Sequence, residues 1–586
     1  MAVLEKYDWI LAIITIAFCF SSFGNGANDV ANSYASSVAA RTLSMPQVGF
    51  LSMCTEFVGA VALGARVTST IKNGIISIDR FENSPGALML GMSCAEVGSA
   101  TWLMVATRVG FPVSTTQTVV GALVGVGFAS SASIKWEWDD GSLSQIAASW
   151  AIAPLIAAGF AAVLFGTVKY AVLERRDSLK WAMRLIPAYL AFTASILALF
   201  LVIEAPTAPS LEEFGAGKAT GIILGVFFGA LIIAYTFFLP YFHRRLIKED
   251  ARLKWWHIPL GPTLWREDPY IYLPSKDTNI VVDHYEGVNP YGVDSANDTQ
   301  IIKPQDDAAV MKKTDGDGTS SPSSTEKAGT TTGAVADSSA LEKGTAGTST
   351  LTHRAKKRLE PEDRFLAPNR HLSYIHPQRL YGFLKFGLLQ GVTRDCVTFR
   401  TEHMAAIHAH TNRYDNRVEH LWTYAQVASA MLMSIAHGSN DVSNAVGPWS
   451  AAYATYKAGE VDSKSPAPRW ILAVAGILLG LGFWFFGYHI IRSIGNRITQ
   501  LSPTRGYAME LGAAITVLLA SRLGLPVSTT QCLIGACVGV ALMNLSVKAV
   551  NWRQMAWIFL GWVITLPVAG LISGLFMLIA LNTPHF

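Results

Sequence analysis

The sequence predicts an all-α polytopic membrane protein made of two inverted-topology repeats, with about 12 membrane segments that include broken or re-entrant helices. Three observations lead there. Of the 586 residues, 51% are hydrophobic and only 15% charged, against about 25% charged in a soluble globular chain, and apolar runs of roughly twenty residues recur along the sequence. Two polar motifs are each written twice, once near either end. The placement of Lys and Arg makes the two copies run in opposite senses across the bilayer.

The spans follow in order at about 9–41, 45–69, 84–108, 112–129, 142–172, 183–204 and 218–243, then 419–449, 468–492, 504–522, 526–544 and 552–581. The two short ones begin Pro112-Val-Ser and Pro526-Val-Ser and suit re-entrant hairpins as well as full crossings. The first apolar run leads directly into a polar motif, so it reads as a retained span rather than a cleaved signal. A formal net charge of +4 is too small to point to nucleic acid. Five of the six cysteines lie in apolar runs at irregular spacing, which fits small core residues rather than a disulfide or zinc framework.

Arg175, Arg176, Lys180 and Arg184 mark one connection as cytoplasmic, and Arg244, Arg245, Lys248 and Arg252 mark another. The acidic connection between them, with Glu204, Glu212 and Glu213, is then outside, as are both termini. This divides the chain into a membrane half at 1–243, a cytoplasmic insertion at 244–418 and a second membrane half at 419–586. Residues 296–352 are mostly Ser, Thr, Gly, Asp, Ala and Lys, too polar to bury a core, and are expected to be disordered. The aromatic flanks, from Trp255 to Tyr272 and from Tyr374 to Leu389, are expected to pack together or lie at the membrane surface.

The repeats are near-constant in offset. Pro112-Val-Ser114-Thr115-Thr116-Gln117 returns as Pro526-Val-Ser528-Thr529-Thr530-Gln531, and Glu96-Val-Gly as Glu510-Leu-Gly, both shifted by 414 (528 − 114; 510 − 96). Gly26-Ala-Asn28-Asp29-Val-Ala-Asn32 returns as Gly438-Ser-Asn440-Asp441-Val-Ser-Asn444, shifted by 412 (441 − 29). Homologous halves of opposite sense are the plan of many secondary transporters.

A carboxylate at membrane depth is costly and faces a protein interior or an aqueous path. Asp29 and Asp441 each carry flanking amides, Asn28 and Asn32 or Asn440 and Asn444, at helical spacing. Oxygen-only ligands of this kind suit a hard cation such as sodium, and Gly24, Gly26 and Gly438 are expected to break the helices there. The alternative is a buried Asp–Asn network that only joins helices. Proline at the first turn puts the Ser-Thr-Thr-Gln residues at a helix N-terminus, which with hydroxyl donors makes an anion site; the alternative there is ordinary capping. Glu56 lies mid-span without a counterpart, so it is an extra candidate for cation or proton coupling beside Glu96 and Glu510. With no Lys or Arg in the motifs, an oxyanion next to two aspartates needs cations between, which argues for cation–anion symport.

These paired motifs closely resemble those of the inorganic phosphate transporter (PiT) family, across about 1–243 and 419–586, and the insertion and termini look most like fungal sodium-coupled permeases. The resemblance implies an inverted-repeat homodimer in the plasma membrane that carries phosphate between sodium ions, with no enzymatic activity and no resident cofactor. It assigns phosphate to Ser114, Thr115, Thr116, Gln117, Ser528, Thr529, Thr530 and Gln531. It assigns sodium and coupling to Asn28, Asp29, Asn32, Asn440, Asp441 and Asn444, with sodium itself at the Asp29 and Asp441 motifs, and marks Glu56, Glu96 and Glu510 as relevant to transport. Proton-coupled or sulfate-carrying symport and a phosphate-sensing receptor are the other readings. A hydrolase has little support, because no histidine cluster and no base beside the serines is visible.

Overall fold

The computed structural model describes residues 4–139, 141–204, 215–250, 252–266, 281, 283–285, 359–397, 402–462 and 465–583. The stretch expected to be disordered, 296–352, lies outside the described residues, as do Tyr270 and Tyr272. Among the described residues the chain is helical, and its one extended pairing is an isolated bridge between Ile76 and Ile134.

The first half comprises Asp8–Asn25 (α1), which passes through one π-helical turn at Gly26–Val30 into Ala31–Ala39 (α2). Met45–Leu63 (α3), Ala65–Asn73 (α4), Pro85–Val109 (α5), Thr115–Ser130 (α6) and Leu143–Val168 (α7) follow. Ser178–Glu204 (α8) and Ala216–Ile233 (α9) come next, the latter continuing helically to Ile247. The insertion contributes Pro377–Thr393 (α10). The second half is Asn416–Ala458 (α11), Arg469–Phe486 (α12), Pro503–Arg522 (α13), Thr529–Leu542 (α14) and Trp552–Asn582 (α15).

Local chemistry sets these boundaries. Pro85 and Pro503 stand in the first turns of α5 and α13, where a missing N–H costs nothing. The turns that follow those helices use Gly110 and Gly524, at φ of 76° and 70°, the left-handed region that glycine enters without strain. They occupy the same repeat position, since 524 − 110 = 414.

Among the described residues eight helices are long and apolar enough to cross a bilayer, so the expected count of about 12 is not reached on length and composition. The other expected segments are helices nonetheless. α6 and α14 are short, while α11 and α13 fall outside the eight because they carry the polar motifs.

Packing repeats the symmetry of the sequence. α3 crosses α12 at the centre, α1 packs on α5 as α11 does on α13, and α6 packs on α15 as α14 does on α7. The last two pairs join one repeat to the other. Small residues make the crossings: a Cβ on Gly125 would lie 2.0 Å from the Gly570 carbonyl oxygen, and one on Gly539 would lie 2.4 Å from that of Ala158.

The glycines beside the aspartates serve the same purpose, which corrects their expected role. The α1–α2 helix is locally widened to a π turn rather than broken, and α11 runs unbroken through Gly438. A Cβ on Gly26 would lie 1.9 Å from the Leu479 carbonyl oxygen, and one on Gly438 would lie 2.7 Å from that of Glu56. These positions are small so that α12 and α3 can approach.

The described part of the insertion packs on the helical core. α10 lies against α12 and α3. Tyr285 is buried and its hydroxyl donates to Glu419 Oε1 at 2.9 Å, while Glu419 Oε2 accepts the Thr504 N–H at 2.9 Å at the start of α13. The His284 ring, held below the ordinary histidine pKa by burial, places Nδ1 2.8 Å from the Ala40 carbonyl oxygen at the end of α2. His284 and Tyr285 therefore fasten helices of both repeats.

The Gly26→Ala variant is expected to lose about 1–3 kcal/mol of stability by overpacking against α12. Thermal unfolding of the purified protein reads this, with Gly159→Ala, whose Cβ meets nothing within 4 Å, as the neutral comparison.

Candidate functional site

The two aspartates meet where α1–α2, α11 and the N-termini of α6 and α14 converge, and every motif residue there is at most 5% exposed. Asn28 and Asn440 set the scaffold. Asn28 Nδ2 donates to Thr107 Oγ1 at 3.1 Å and to the Phe111 carbonyl at 3.0 Å, and its Oδ1 accepts the Val113 N–H at 3.1 Å. Asn440 Nδ2 donates to Ser521 Oγ at 3.1 Å and to the Leu525 carbonyl at 3.2 Å. Both amides thus hold the loop that leads into the next short helix, so positioning is the role their contacts give them.

Ser114 and Ser528 cap α6 and α14, accepting the N–H of Gln117 at 3.2 Å and of Gln531 at 3.3 Å. Thr116 donates to the Val527 carbonyl at 3.0 Å and Thr530 lies 3.4 Å from the Val113 carbonyl, so the two loops clasp each other across the pseudo-twofold. The capping alternative therefore holds for the serines, and the threonines reach further.

Asp29 is held by both repeats. Its Oδ2 accepts the Thr115 N–H at 3.2 Å and the Thr115 hydroxyl at 2.7 Å, and its Oδ1 accepts the Thr530 hydroxyl at 2.9 Å. Asp441 Oδ2 accepts the Thr529 hydroxyl at 2.6 Å and lies 3.2 Å from His437 Nε2. Asn32 donates to Thr530 at 2.5 Å and Asn444 to Thr115 at 2.9 Å, each amide reaching the opposite repeat. The hydroxyls expected at the anion and the aspartates expected at the cation are one network.

The unpaired atoms in this network are mostly acceptors. Asp441 Oδ1 and the side-chain carbonyl oxygens of Asn25, Asn32, Asn440, Asn444, Gln117 and Gln531 are buried without a hydrogen-bond partner. Buried acceptors without donors are what a hard cation satisfies. One ligand atom each from Asp29, His437 and Asp441 lies within 4.8 Å of the others, close enough to share an ion.

His437 and Asn25 were not singled out from the sequence. His437 Nδ1 lies 2.7 Å from Glu56 Oε2, whose other oxygen accepts the Ser434 hydroxyl at 2.5 Å, so the ring links Glu56 to Asp441. Its signal was present, one turn before Asp441 and directly before Gly438. The repeat offset pairs it with Asn25 (437 − 25 = 412), which donates to the Asp441 carbonyl at 2.8 Å.

Glu96 and Glu510 are alike in sequence and unlike in setting. Glu510 accepts from Ser37 at 2.8 Å and Ser429 at 2.7 Å, and also from Ser36. Both oxygens of Glu96 are buried without a hydrogen-bond partner. Neither carboxylate shares a hydrogen bond with Asp29 or Asp441.

Two inverted helical repeats closing on buried carboxylates, amides and helix N-termini define a secondary membrane transporter. The chain belongs to the phosphate transporter family, whose model matches residues 25–573. It is 37% identical to the phosphate-repressible phosphate permease pho-4 of Neurospora crassa, over 100% of this chain and 99% of that one. It is 26% identical to sodium-dependent phosphate transporter 2 of Xenopus laevis (97% and 98% covered) and 27% identical to sodium-dependent phosphate transporter 1 of Mus musculus (98% and 95%). The fold is shared with a solved structure of a sodium-dependent phosphate transporter, at a TM-score of 0.62 and 22% identity over 98% of this chain and 100% of that one.

His437→Ala is expected to lower phosphate uptake at least about tenfold and to cost roughly 3 kcal/mol of stability, the scale for leaving a buried charge without its partner. Uptake into vesicles and thermal unfolding in detergent read the two effects. Wild-type values of both would mean that the ring does not connect Glu56 to Asp441 in any way the protein uses.

Proposed function

We propose that the chain is a sodium-coupled phosphate symporter that imports phosphate across the plasma membrane by alternating access. The observation that carries this reading is the shared network of Asp29, Asp441, Thr115, Thr529 and Thr530, lined with unpartnered acceptor oxygens. The similarity to sodium-dependent phosphate transporters supports sodium as the coupling ion.

The chemistry of coupling follows from hydrogen-bond capacity. A threonine hydroxyl has one proton to give. In this structure the protons of Thr115, Thr529 and Thr530 are directed at carboxylates. Sodium ions on Asp29 and Asp441 compensate the carboxylates and release those protons for a phosphate oxygen. The ions also cancel the repulsion that phosphate would meet from two aspartates. The N-termini of α6 and α14, one from each repeat, supply further donors to the anion.

In this reading the repeats rock around the fixed centre, with both termini outside and the insertion in the cytoplasm, and the protein works as a homodimer without catalysing a reaction. Residues 1–243 and 419–586 form the transport unit.

Phosphate uptake by proteoliposomes with a sodium gradient, with potassium in its place, and with a proton gradient alone tests the proposal. Sodium is expected to stimulate uptake at least about tenfold, and Asp29→Asn and Asp441→Asn are each expected to abolish the stimulation. Equal uptake under all three gradients would rule out sodium coupling. Phosphate binding without flux would favour the receptor reading instead.

A further inference from the structure

Away from the Asp29–Asp441 centre, a cleft of about 700 Å³ opens where α8, the extension of α9 and the start of α11 meet. Its polar wall carries Arg176, Lys180, Arg184 and Arg417, with Asp177 and Asp415 beside them. Asp415 is already engaged, since it caps α11 and lies 3.0 Å from Arg417. Four cations against two carboxylates leave a net charge of +2. Arg176 and Lys180 are exposed and make no hydrogen bond or ion pair in the described structure, and Arg184 lies 5.6 Å from the Trp181 ring. The lining from the α9 extension is largely apolar, with Tyr235, Leu239 and Ile247 beside His243.

That apolar wall does not end at the cleft. α9 packs chiefly on α8 and leaves Phe228, Ile232 and Ile233 exposed, so the lining runs on into a bare hydrocarbon face of a membrane helix. A small soluble anion has no use for such a wall. A phospholipid does: its acyl chains lie along the helix while its headgroup enters the basic end of the cleft. Basic cavities between spans on the cytoplasmic side suit the anionic lipids concentrated in that leaflet.

We propose that the cleft lined by Arg176, Lys180, Arg184, Leu239 and Tyr235 is a binding site for an anionic phospholipid. The site joins the two helices between the repeats to the start of α11 at the membrane surface, without touching the transport centre. It does not depend on which ion or substrate is carried.

Native mass spectrometry of the full chain in detergent, titrated with phosphatidylserine or phosphatidylcholine, tests the proposal. Phosphatidylserine is expected to be retained preferentially. The triple variant Arg176→Ala, Lys180→Ala, Arg184→Ala is expected to weaken that retention on the order of tenfold or more. Lys180→Ala alone, an exposed change that leaves the fold intact, is expected to weaken it by a smaller factor. Equal retention of phosphatidylcholine would overturn the proposal, as would unchanged retention in both variants. Displacement of phosphatidylserine by inorganic phosphate would overturn it too, by showing that the basic wall recognises a free anion.

Discussion

The rest of the structure depends on the crowding of Asp29 and Asp441 in a site closed to water. Their ligand atoms and that of His437 lie within 4.8 Å of each other. Two full charges about 5 Å apart repel by roughly 3 kcal/mol at an effective dielectric of about 20. The surroundings are arranged to bear this. Thr115 and Thr530 spend hydroxyl protons on Asp29, Thr529 spends one on Asp441, and His437 stands between Asp441 and Glu56. Fixing those donors takes the two helix N-termini, and fixing the helix N-termini takes the loops pinned by Asn28 and Asn440. The glycine crossings that bring α3, α12, α6 and α14 so close complete the same task.

The pseudo-twofold is most exact in the framework and least exact around the two aspartates. Asn28 and Asn440 make matching contacts, Ser114 and Ser528 cap alike, and Gly110 and Gly524 turn alike. At the centre the halves part. Asp29 has hydroxyl partners on both oxygens, whereas one oxygen of Asp441 has no hydrogen bond and the other faces an imidazole. Glu56 has no carboxylate counterpart, and Glu96 and Glu510 share a sequence position but not a polar environment. Two copies of one sequence have kept a common frame and acquired two unlike polar environments within it.

Much of this was legible in the sequence, for identifiable reasons. Near-constant offsets between the repeats reveal the halves, and proline-led Pro-Val-Ser-Thr announces a capped helix start because few other arrangements use those residues together. Glycine is ambiguous by contrast. A helix break and a close helix crossing both ask for a missing side chain, and only the position of Leu479 against Gly26 separates them. His437 was legible in principle, one turn from Asp441, but a single histidine in an apolar run carries no repeat signal, and its counterpart is the chemically different Asn25. The partnership of Tyr285 with Glu419 spans 134 residues of insertion, and no local pattern encodes it.

In the proposed symport, with cations at Asp29 and Asp441 and the anion at the threonines, coupling reduces to which states leave buried groups unsatisfied. With neither solute bound, the threonine protons rest on the aspartates and the donors are satisfied. With both bound, cations hold the carboxylates and the amide oxygens, and the protons turn to the anion. A site holding the cations alone leaves released hydroxyls without acceptors. A site holding the anion alone sets it against two uncompensated carboxylates, with the donors it needs already committed. Both half-loaded states carry buried polar groups without partners, each costing on the order of 1–3 kcal/mol or more. Because coupling free energy is reciprocal, the cations raise the affinity for the anion by the factor that the anion raises theirs. Closure over the site, which removes water as a substitute partner, enlarges that factor. A protein that occludes its site only when the hydroxyl donors have acceptors and no bound anion faces uncompensated carboxylates carries the two solutes together or returns empty, and that is the physical content of symport.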